Sequence, residues 1–278
     1  MTTHIHSDPQ EGKNAATLLL PGMSLNATIF PKFGLPTVTP DLSGIDVGED
    51  GVTSELVRDG FDVFVRLLQK ELRTSGCWDR GRRIVIAHSF GGMLALQWLL
   101  GDAEGAPPAV DGVVFIASTA GPMYERVKAL VTAPWGWRWR LGLGWLVPVW
   151  NQPQITKTVK RFLCRGRLDA EAVDFRALKI RSDAELVRAG WRNTDWRAMR
   201  AFRYVMDGFD VRNRLSEITA PTIILHGTED SLFEVEDARA LNRNLPNAEL
   251  RVIDGAGHAL PITHGDEVLQ AVRDLVNA

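Results

Sequence analysis

A serine set between an apolar run and two glycines is the residue whose setting most directly indicates chemistry. Residues 84–92 read Ile-Val-Ile-Ala-His-Ser-Phe-Gly-Gly, so Ser89 stands where a strand would run into a helix. A serine on such a tight, strained turn projects its hydroxyl from the sheet, where it can act as a nucleophile. The positions two before and two after it, Ala87 and Gly91, must be small because they crowd each other. An ordinary strand-to-helix turn is the alternative for this motif alone.

Two later loops carry the residue types that a nucleophilic serine needs. Asp230 follows the apolar run 221–226, and His258 lies in a glycine-rich loop after the run 249–253. A histidine can take the serine proton, and a carboxylate can hold the imidazole in one tautomer and stabilise its charged form. The sequence therefore predicts a catalytic triad of Ser89, Asp230 and His258, with Glu229 as the competing acid.

A Pro-Gly turn after the first apolar run is a candidate for part of an oxyanion hole. Pro21 and Gly22 follow residues 17–20. A turn at this place can direct one backbone N–H at the reacting carbonyl oxygen, and the residue after the nucleophile supplies a second. We expect these donors to be the N–H groups of Met23 and Phe90. A plain turn, which Pro-Gly forms by itself, is the alternative.

The elements that must position these residues follow from hydrophobic patterning. Apolar runs predict strands at 17–20, 36–41, 83–87, 112–118, 221–226 and 249–253, and helical spacing predicts helices at 55–72, 91–100 and 267–276. Strands that are apolar throughout and alternate with helices indicate an α/β fold with a parallel sheet covered on both faces. Helical spacing in 170–180 and 183–203, without a strand pattern, predicts a helical cap inserted at 121–215 between core segments 1–120 and 216–278.

With these residues in place, the chain resembles the α/β-hydrolase superfamily over residues 15–120 and 215–278. Residues 20–30 are similar to the oxyanion segment of the esterases that demethylate pimeloyl-carrier-protein methyl ester. That family usually has His-Gly where this chain has Pro21-Gly22, and Ala87 replaces the usual first glycine of the serine motif. The resemblance implies a mostly parallel eight-stranded sheet, a helical cap and no cofactor.

The predicted cap has an unusual charge. Residues 121–220 hold 19 basic and 10 acidic residues, a net charge of +9, whereas the rest of the chain is at −11. Seven of the nine tryptophans lie there too. A packed lid with arginines reaching water, docking of an acidic acyl carrier protein, and attachment to an anionic membrane surface are three interpretations. Nucleic acid is not expected as a partner, because these basic residues guard a predicted esterase pocket.

The predicted reaction is two-step hydrolysis of a small-molecule or acyl-chain ester through an acyl-enzyme on Ser89. We expect the substrate to be lined by Leu25, His88, Trp145 and Leu232. Thioesters, lactones and amides are cleaved by the same groups, so the bond type stays open. A protein on the same fold that binds without catalysis, or that binds a membrane, is the alternative from another class.

The remaining composition excludes several classes. Cys77 and Cys164 lack metal-ligand spacing and predict buried, reduced thiols. The chain has no His/Asp/Glu cluster with metal-ligand spacing and no glycine-rich phosphate loop, so neither a metal site nor nucleotide binding is expected. The N-terminus lacks a signal-peptide pattern, and no apolar run reaches the roughly 20 residues of a membrane span. We therefore expect a cytoplasmic protein.

Overall fold

A single parallel sheet organises the computed structural model, which describes residues 15–42, 45–76, 78, 81–101, 109–122, 173–192 and 194–278. Its strands are β1 (Ala15–Leu20), β2 (Thr37–Val38), β3 (Arg82–His88), β4 (Gly112–Ile116), β5 (Thr222–Gly227) and β6 (Ala248–Ile253). They pair in the order β2-β1-β3-β4-β5-β6, and every pairing is parallel. The six apolar runs predicted as strands all form strands. The resemblance implied eight strands, whereas the described residues form six. Residues 1–14 are not among the described residues.

Helices cover the sheet on both faces. They are α1 (Ser54–Asp59), α2 (Asp62–Ser75), α3 (Phe90–Leu100), α4 (Asp183–Arg192), α5 (Trp196–Asp207), α6 (Val235–Asn244), α7 (Leu260–Thr263) and α8 (Gly265–Asn277), with short 3-10 helices at Ala27–Ile29 and Leu215–Glu217. The side chains of β1 and β3 alternate between two buried clusters: Leu18 and Leu20 pack on one face, and Leu19 on the other. This alternation is the two-faced burial that the continuous apolar runs predicted.

Two predicted helices are each broken in two. The predicted helix 55–72 is interrupted at Gly60, whose φ of 55° lies in the left-handed region that ends a helix, so α1 and α2 are separate. The predicted helix 183–203 divides into α4 and α5. The side chain of Asp195 accepts a hydrogen bond from the N–H of Arg197 and so starts α5 anew.

One predicted helix is absent from its described part, and two observed helices were not predicted. Residues 173–180 of the predicted helix 170–180 form turns. The carboxylate of Asp174 accepts hydrogen bonds from the N–H groups of Arg176 and Ala177, and Lys179 has a φ of 51°. These local bonds compete with helix formation. The helices that were not predicted are α6, which is strongly polar on its outer side, and α7, which has only four residues.

The sheet order places the predicted site at the point where the strand order reverses. β1 has β2 on one side and β3 on the other. The strand after β1 is therefore added on one side of it, and all strands from β3 onward are added on the other side. In open α/β sheets ligands bind outside the carboxyl ends of the strands at such a point. Leu20 at the end of β1 is paired with Ala87 near the end of β3. The Pro-Gly turn and Ser89 therefore leave the sheet side by side, and the loops of Asp230 and His258 leave the same edge after β5 and β6.

Several predictions fall on residues outside the described part of the chain. Cys77, Cys164 and Trp145 are among them, as are residues 123–172 of the predicted cap. Residues 173–215 contain α4 and α5. None of the helices among the described residues combines the length and apolar character that a membrane crossing requires.

Candidate active site

Ser89 occupies a strained backbone conformation between β3 and α3. Its φ is 55° and its ψ is −119°, a combination that costs a non-glycine residue about 1–3 kcal/mol. Its neighbours hold it there: its N–H donates to the carbonyl of Ile116 at 3.0 Å, and its carbonyl accepts from the N–H of Gly92 at 2.9 Å and the hydroxyl of Ser118 at 2.9 Å. The strain is thus fixed by three hydrogen bonds at the strand end.

The glycine requirement at position 91 has a different cause from the one expected. A Cβ added to Gly91 would lie 2.0 Å from the carbonyl oxygen of Leu20 and 2.7 Å from that of Pro21. The nearest obstacle is therefore the end of β1, and the expected crowding by Ala87 is not the main constraint. Gly92 is also restricted, since its Cβ would lie 2.2 Å from the hydroxyl oxygen of Ser118. Helix α3 can start against the sheet only because both positions lack a side chain.

Asp230 and His258 form a buried hydrogen-bonded pair. Nδ1 of His258 lies 2.9 Å from Oδ2 of Asp230. The other carboxylate oxygen, Oδ1, accepts from the N–H groups of Leu232 at 2.8 Å and Phe233 at 3.0 Å. The competing acid, Glu229, is exposed. Of the two adjacent acids, Asp230 is the one that the structure brings to His258.

The interaction between Asp230 and His258 favours the charged form of each partner. Burial by itself raises the pKa of Asp230. The charge and hydrogen bond of His258 and the N–H of Phe233 lower this pKa by more than burial raises it, so it lies below the usual range. Burial lowers the pKa of His258, but the charge and hydrogen bond of Asp230, with the charge of Asp183, outweigh it and raise the pKa above the ordinary value. The imidazole is therefore a stronger base than a free histidine.

His88 lies beneath the His258 loop. It is fully buried, its Nε2 lies 2.9 Å from the carbonyl oxygen of His258, and the two rings are 4.8 Å apart. Burial and the charge of His258 lower the pKa of His88 to about 3, so the ring is neutral. Because a carbonyl only accepts, the Nε2–H of His88 must donate to it. The ring thus packs under the loop; its expected contact with substrate stays a prediction.

The Pro-Gly turn abuts the serine. The N–H of Leu25 donates to the carbonyl of Gly22 at 3.1 Å and closes the turn. A Cβ on Gly22 would lie 3.2 Å from Cβ of Ser89 and 3.1 Å from Cδ1 of Leu25. The turn that carries Met23 and Leu25 is therefore next to the expected nucleophile. Leu232 is half-buried beside Asp230. The roles of these side chains and N–H groups toward substrate stay predictions.

The sequence analysis missed two residues near the pair. His226 is buried at the end of β5, where its Nε2 lies 3.2 Å from the carbonyl oxygen of Phe233 and 3.9 Å from Oδ2 of Asp230. Asp183 lies at the start of α4 and bonds to the loops of both the acid and the histidine. The position of His226, four residues before the acid on a buried strand, was a usable signal. Nothing in the sequence distinguishes Asp183 from any acid at a helix start.

Comparison with known proteins identifies the family of this chain. The sequence model of the alpha/beta hydrolase family matches residues 17–271, so the chain belongs to that family. It is 22% identical to a pimeloyl-[acyl-carrier protein] methyl ester esterase of Aliivibrio fischeri strain MJ11, over 100% of this chain and 99% of that protein. It is 24% identical to the protein of that name from Photobacterium profundum, over 96% of each. A thermophilic esterase from Thermogutta terrifontis has the same fold, with a TM-score of 0.62 and 18% identity over 96% of this chain and 90% of that one.

The electrostatics of the pair predict how His258 titrates. We expect NMR to give His258 a pKa above the ordinary value of 6.5 and to show His88 remaining neutral down to at least pH 5. Asp230→Asn should lower the pKa of His258, because it removes both the charge and the hydrogen bond that raise it. His258→Gln and His88→Gln would assign the two signals. A His258 pKa that is unchanged in Asp230→Asn would contradict the described pair.

The crowding at the elbow predicts a large stability effect. Gly91→Ala should lower the free energy of unfolding by at least about 3 kcal/mol, since the added methyl overlaps the carbonyl of Leu20. Gly208→Ala is the control: its φ is −100° and its Cβ would meet nothing within 4 Å, so it should change stability by no more than about 0.5 kcal/mol. Urea unfolding of both variants makes the comparison. Equal stability of the two would mean that β1 and α3 are not in close contact.

Proposed function

We propose that this protein is a serine carboxylic-ester hydrolase that forms an acyl-enzyme on Ser89. The observation that carries the proposal is the buried His258–Asp230 pair, joined at 2.9 Å, at the same sheet edge as the strained turn of Ser89. A base oriented by a carboxylate beside an elbow serine is the arrangement that acyl transfer requires. Membership of the alpha/beta hydrolase family and relatives named as esterases support it.

In the proposed first step, Nε2 of His258 takes the proton of Ser89 as Oγ attacks the ester carbonyl. The tetrahedral oxyanion accepts hydrogen bonds from the N–H groups of Met23 and Phe90. Phe90 is the first residue of α3, where helix N–H groups and the positive end of the helix dipole favour an anion. The ester C–O bond then breaks, and the alcohol leaves with the proton that His258 carries.

In the second step, His258 removes a proton from water as the water oxygen attacks the acyl-enzyme. The second tetrahedral intermediate releases the carboxylic acid, and His258 returns its proton to Oγ of Ser89. Asp230 keeps Nδ1 of His258 protonated, so Nε2 faces the serine as the base. The raised pKa of His258 increases its strength as a base, provided that the pH is high enough to keep the ring neutral.

The proposed substrates carry an acyl chain or another apolar group. Leu25 and Ser89 both lie close to Gly22, and Leu25 forms the proposed pocket lining with His88, Trp145 and Leu232. Thioesters, lactones and amides would react through the same groups, so the preference among these bonds depends on the leaving group and the pocket.

A second candidate is the hydrolysis of a methyl ester carried on an acyl carrier protein. It is supported by whole-length similarity to relatives named for that activity and by the basic character of the predicted cap. Within residues 194–217, four arginines are paired with acids on the same segment: Arg197, Arg203, Arg212 and Arg214. The excess of positive charge for an acidic partner must therefore come from residues 121–167, which hold nine basic residues and one acid, Glu125. As part of this second candidate function, we propose that the protein is cytoplasmic.

The nucleophile is tested with p-nitrophenyl esters of increasing acyl length. Ser89→Ala should abolish turnover at every length, while its circular dichroism and thermal unfolding remain those of the folded protein. Ser118→Ala, whose hydroxyl bonds only the carbonyl side of the elbow, should retain measurable activity. Undiminished hydrolysis by Ser89→Ala would refute the proposed acyl-enzyme.

The choice of acid is tested with a pair of adjacent substitutions. Asp230→Asn should reduce kcat by a factor on the order of 10⁴, because the amide no longer holds the productive tautomer of His258. Glu229→Gln should change kcat less than about two-fold, since its side chain is exposed and apart from the imidazole. The reverse ranking would make Glu229 the orienting acid.

The carrier-protein candidate predicts that the enzyme prefers an ester on acyl carrier protein to the same ester free in solution. If it is correct, kcat/KM for a methyl ester on acyl carrier protein should exceed that for the free methyl ester and fall steeply with added salt. Replacing Lys157, Lys160 and Arg161 by glutamate should remove this preference without affecting p-nitrophenyl ester hydrolysis. Equal rates on carried and free esters would exclude carrier docking. Sedimentation with anionic but not zwitterionic vesicles would instead favour a membrane surface as the partner of the cap.

A further inference from the structure

Asp183 joins three segments that are far apart in the sequence. It is the first residue of α4. Its Oδ2 accepts hydrogen bonds from the N–H of Ser231 at 3.0 Å and from the hydroxyl of Ser231 at 2.8 Å. Its Oδ1 accepts from the N–H of Ala259 at 3.0 Å. Ser231 follows Asp230 and Ala259 follows His258, so one carboxylate holds the residue next to each member of the buried pair.

The carboxylate lies directly against the backbone of the histidine loop. A Cβ added to Gly257 would be 2.5 Å from Oδ1 and 3.1 Å from Oδ2 of Asp183. The residues on both sides of His258 are therefore in contact with Asp183. A loop that is otherwise rich in glycine gains a fixed position from this contact, because few of its own side chains restrict it.

The donor pattern requires a carboxylate. All three donors are N–H or O–H groups, and only an ionised acid presents two oxygens that both accept. An asparagine could accept through one oxygen only, and its NH2 would face a further donor. An acid at the first position of a helix commonly serves the N-terminus of its own helix. The bonds of Asp183 instead extend to two loops of the hydrolase core.

The charge of Asp183 also affects the pKa of His258. The charge of Asp183 adds to that of Asp230 in raising the pKa of His258, against the effect of burial. Besides the two acids, the titratable groups near His258 are His88 and His226, and burial lowers the pKa of both, which disfavours their charged forms. After Asp230, Asp183 is thus the second negative charge that raises the pKa of His258.

We propose that Asp183 is a positioning residue that fixes the acid loop and the histidine loop to the start of α4 and so holds His258 in its working orientation toward Ser89. This inference rests on the proposed function and deepens it. It makes the segment at 173–192 part of the catalytic apparatus, because the imidazole is oriented partly by a residue that the core segments do not supply.

The test compares Asp183→Asn with Asp174→Asn. Asp174 is an exposed acid of the same segment whose carboxylate accepts only local N–H groups of Arg176 and Ala177, which asparagine can also cap. Asp183→Asn should reduce kcat on p-nitrophenyl esters by a factor on the order of 10², with little change in KM, because His258 is misplaced. Asp174→Asn should retain wild-type kcat.

Two pH readouts separate positioning from a general loss of structure. Activity is lost as the pH falls through the pKa of His258, since only the neutral ring accepts the serine proton. Removing the charge of Asp183 lowers that pKa, so the acid limb of kcat/KM should move to lower pH in Asp183→Asn and stay in place in Asp174→Asn. NMR titration of His258 should show the same downward shift without any substrate, so this readout holds even if Ser89-dependent hydrolysis is not found.

Ser231→Ala provides a second variant if Asp183→Asn fails to fold. It removes the hydroxyl donor and keeps the N–H, so kcat should fall a few-fold, and the double variant should lose no more than Asp183→Asn alone. Wild-type kcat together with an unshifted His258 titration in folded Asp183→Asn would overturn the proposal. Multiplicative losses in the double variant would also overturn it, because they would show that Ser231 and Asp183 act independently.

Discussion

The hydrogen bond between Asp230 and His258 constrains the rest of the site, because a buried carboxylate is stable only when its oxygens are satisfied. Oδ2 faces His258, and Oδ1 takes the N–H groups of Leu232 and Phe233, which fixes the path of the loop after β5. The backbone of His258 is restrained in turn, because the Nε2–H of His88 donates to its carbonyl oxygen. The hydrogen bonds of this one acid therefore connect the loop after β5 to the loop after β6.

The parallel sheet supplies the other constraint, which is where the loops leave. β1, β3, β5 and β6 all end at one edge, so the Pro-Gly turn, Ser89, Asp230 and His258 are brought to that edge by topology alone. Close approach then sets residue size: the carbonyl of Leu20 leaves no room for a side chain at Gly91. The strain at Ser89 is maintained because the neighbouring strand and helix fix its backbone through hydrogen bonds.

Much of this arrangement could be predicted from the sequence, for identifiable reasons. Continuous apolar runs such as 83–87 have few alternatives to a buried strand, and the elbow pattern around Ser89 ties a residue type to a backbone shape. The bounds of the helices were harder to predict. The breaks at Gly60 and Asp195 arise from the backbone conformation or side-chain hydrogen bond of a single residue, within segments whose hydrophobic spacing is otherwise periodic. The turns at 173–180 depend on the local hydrogen bonds of Asp174, which periodicity does not register. Asp183 acts on residues some 48 and 76 positions away, and no local pattern reports such a contact.

A fluorophosphonate probe tests whether Ser89 is an activated nucleophile. The reagent phosphonylates a serine whose hydroxyl is activated by a neighbouring base, and the product does not hydrolyse readily. We expect one added phosphonate per chain by intact mass spectrometry, located on Ser89 by peptide mapping, and none in Ser89→Ala. Labelling of Ser89→Ala at the wild-type rate, or an unlabelled wild-type protein that is folded, would contradict it.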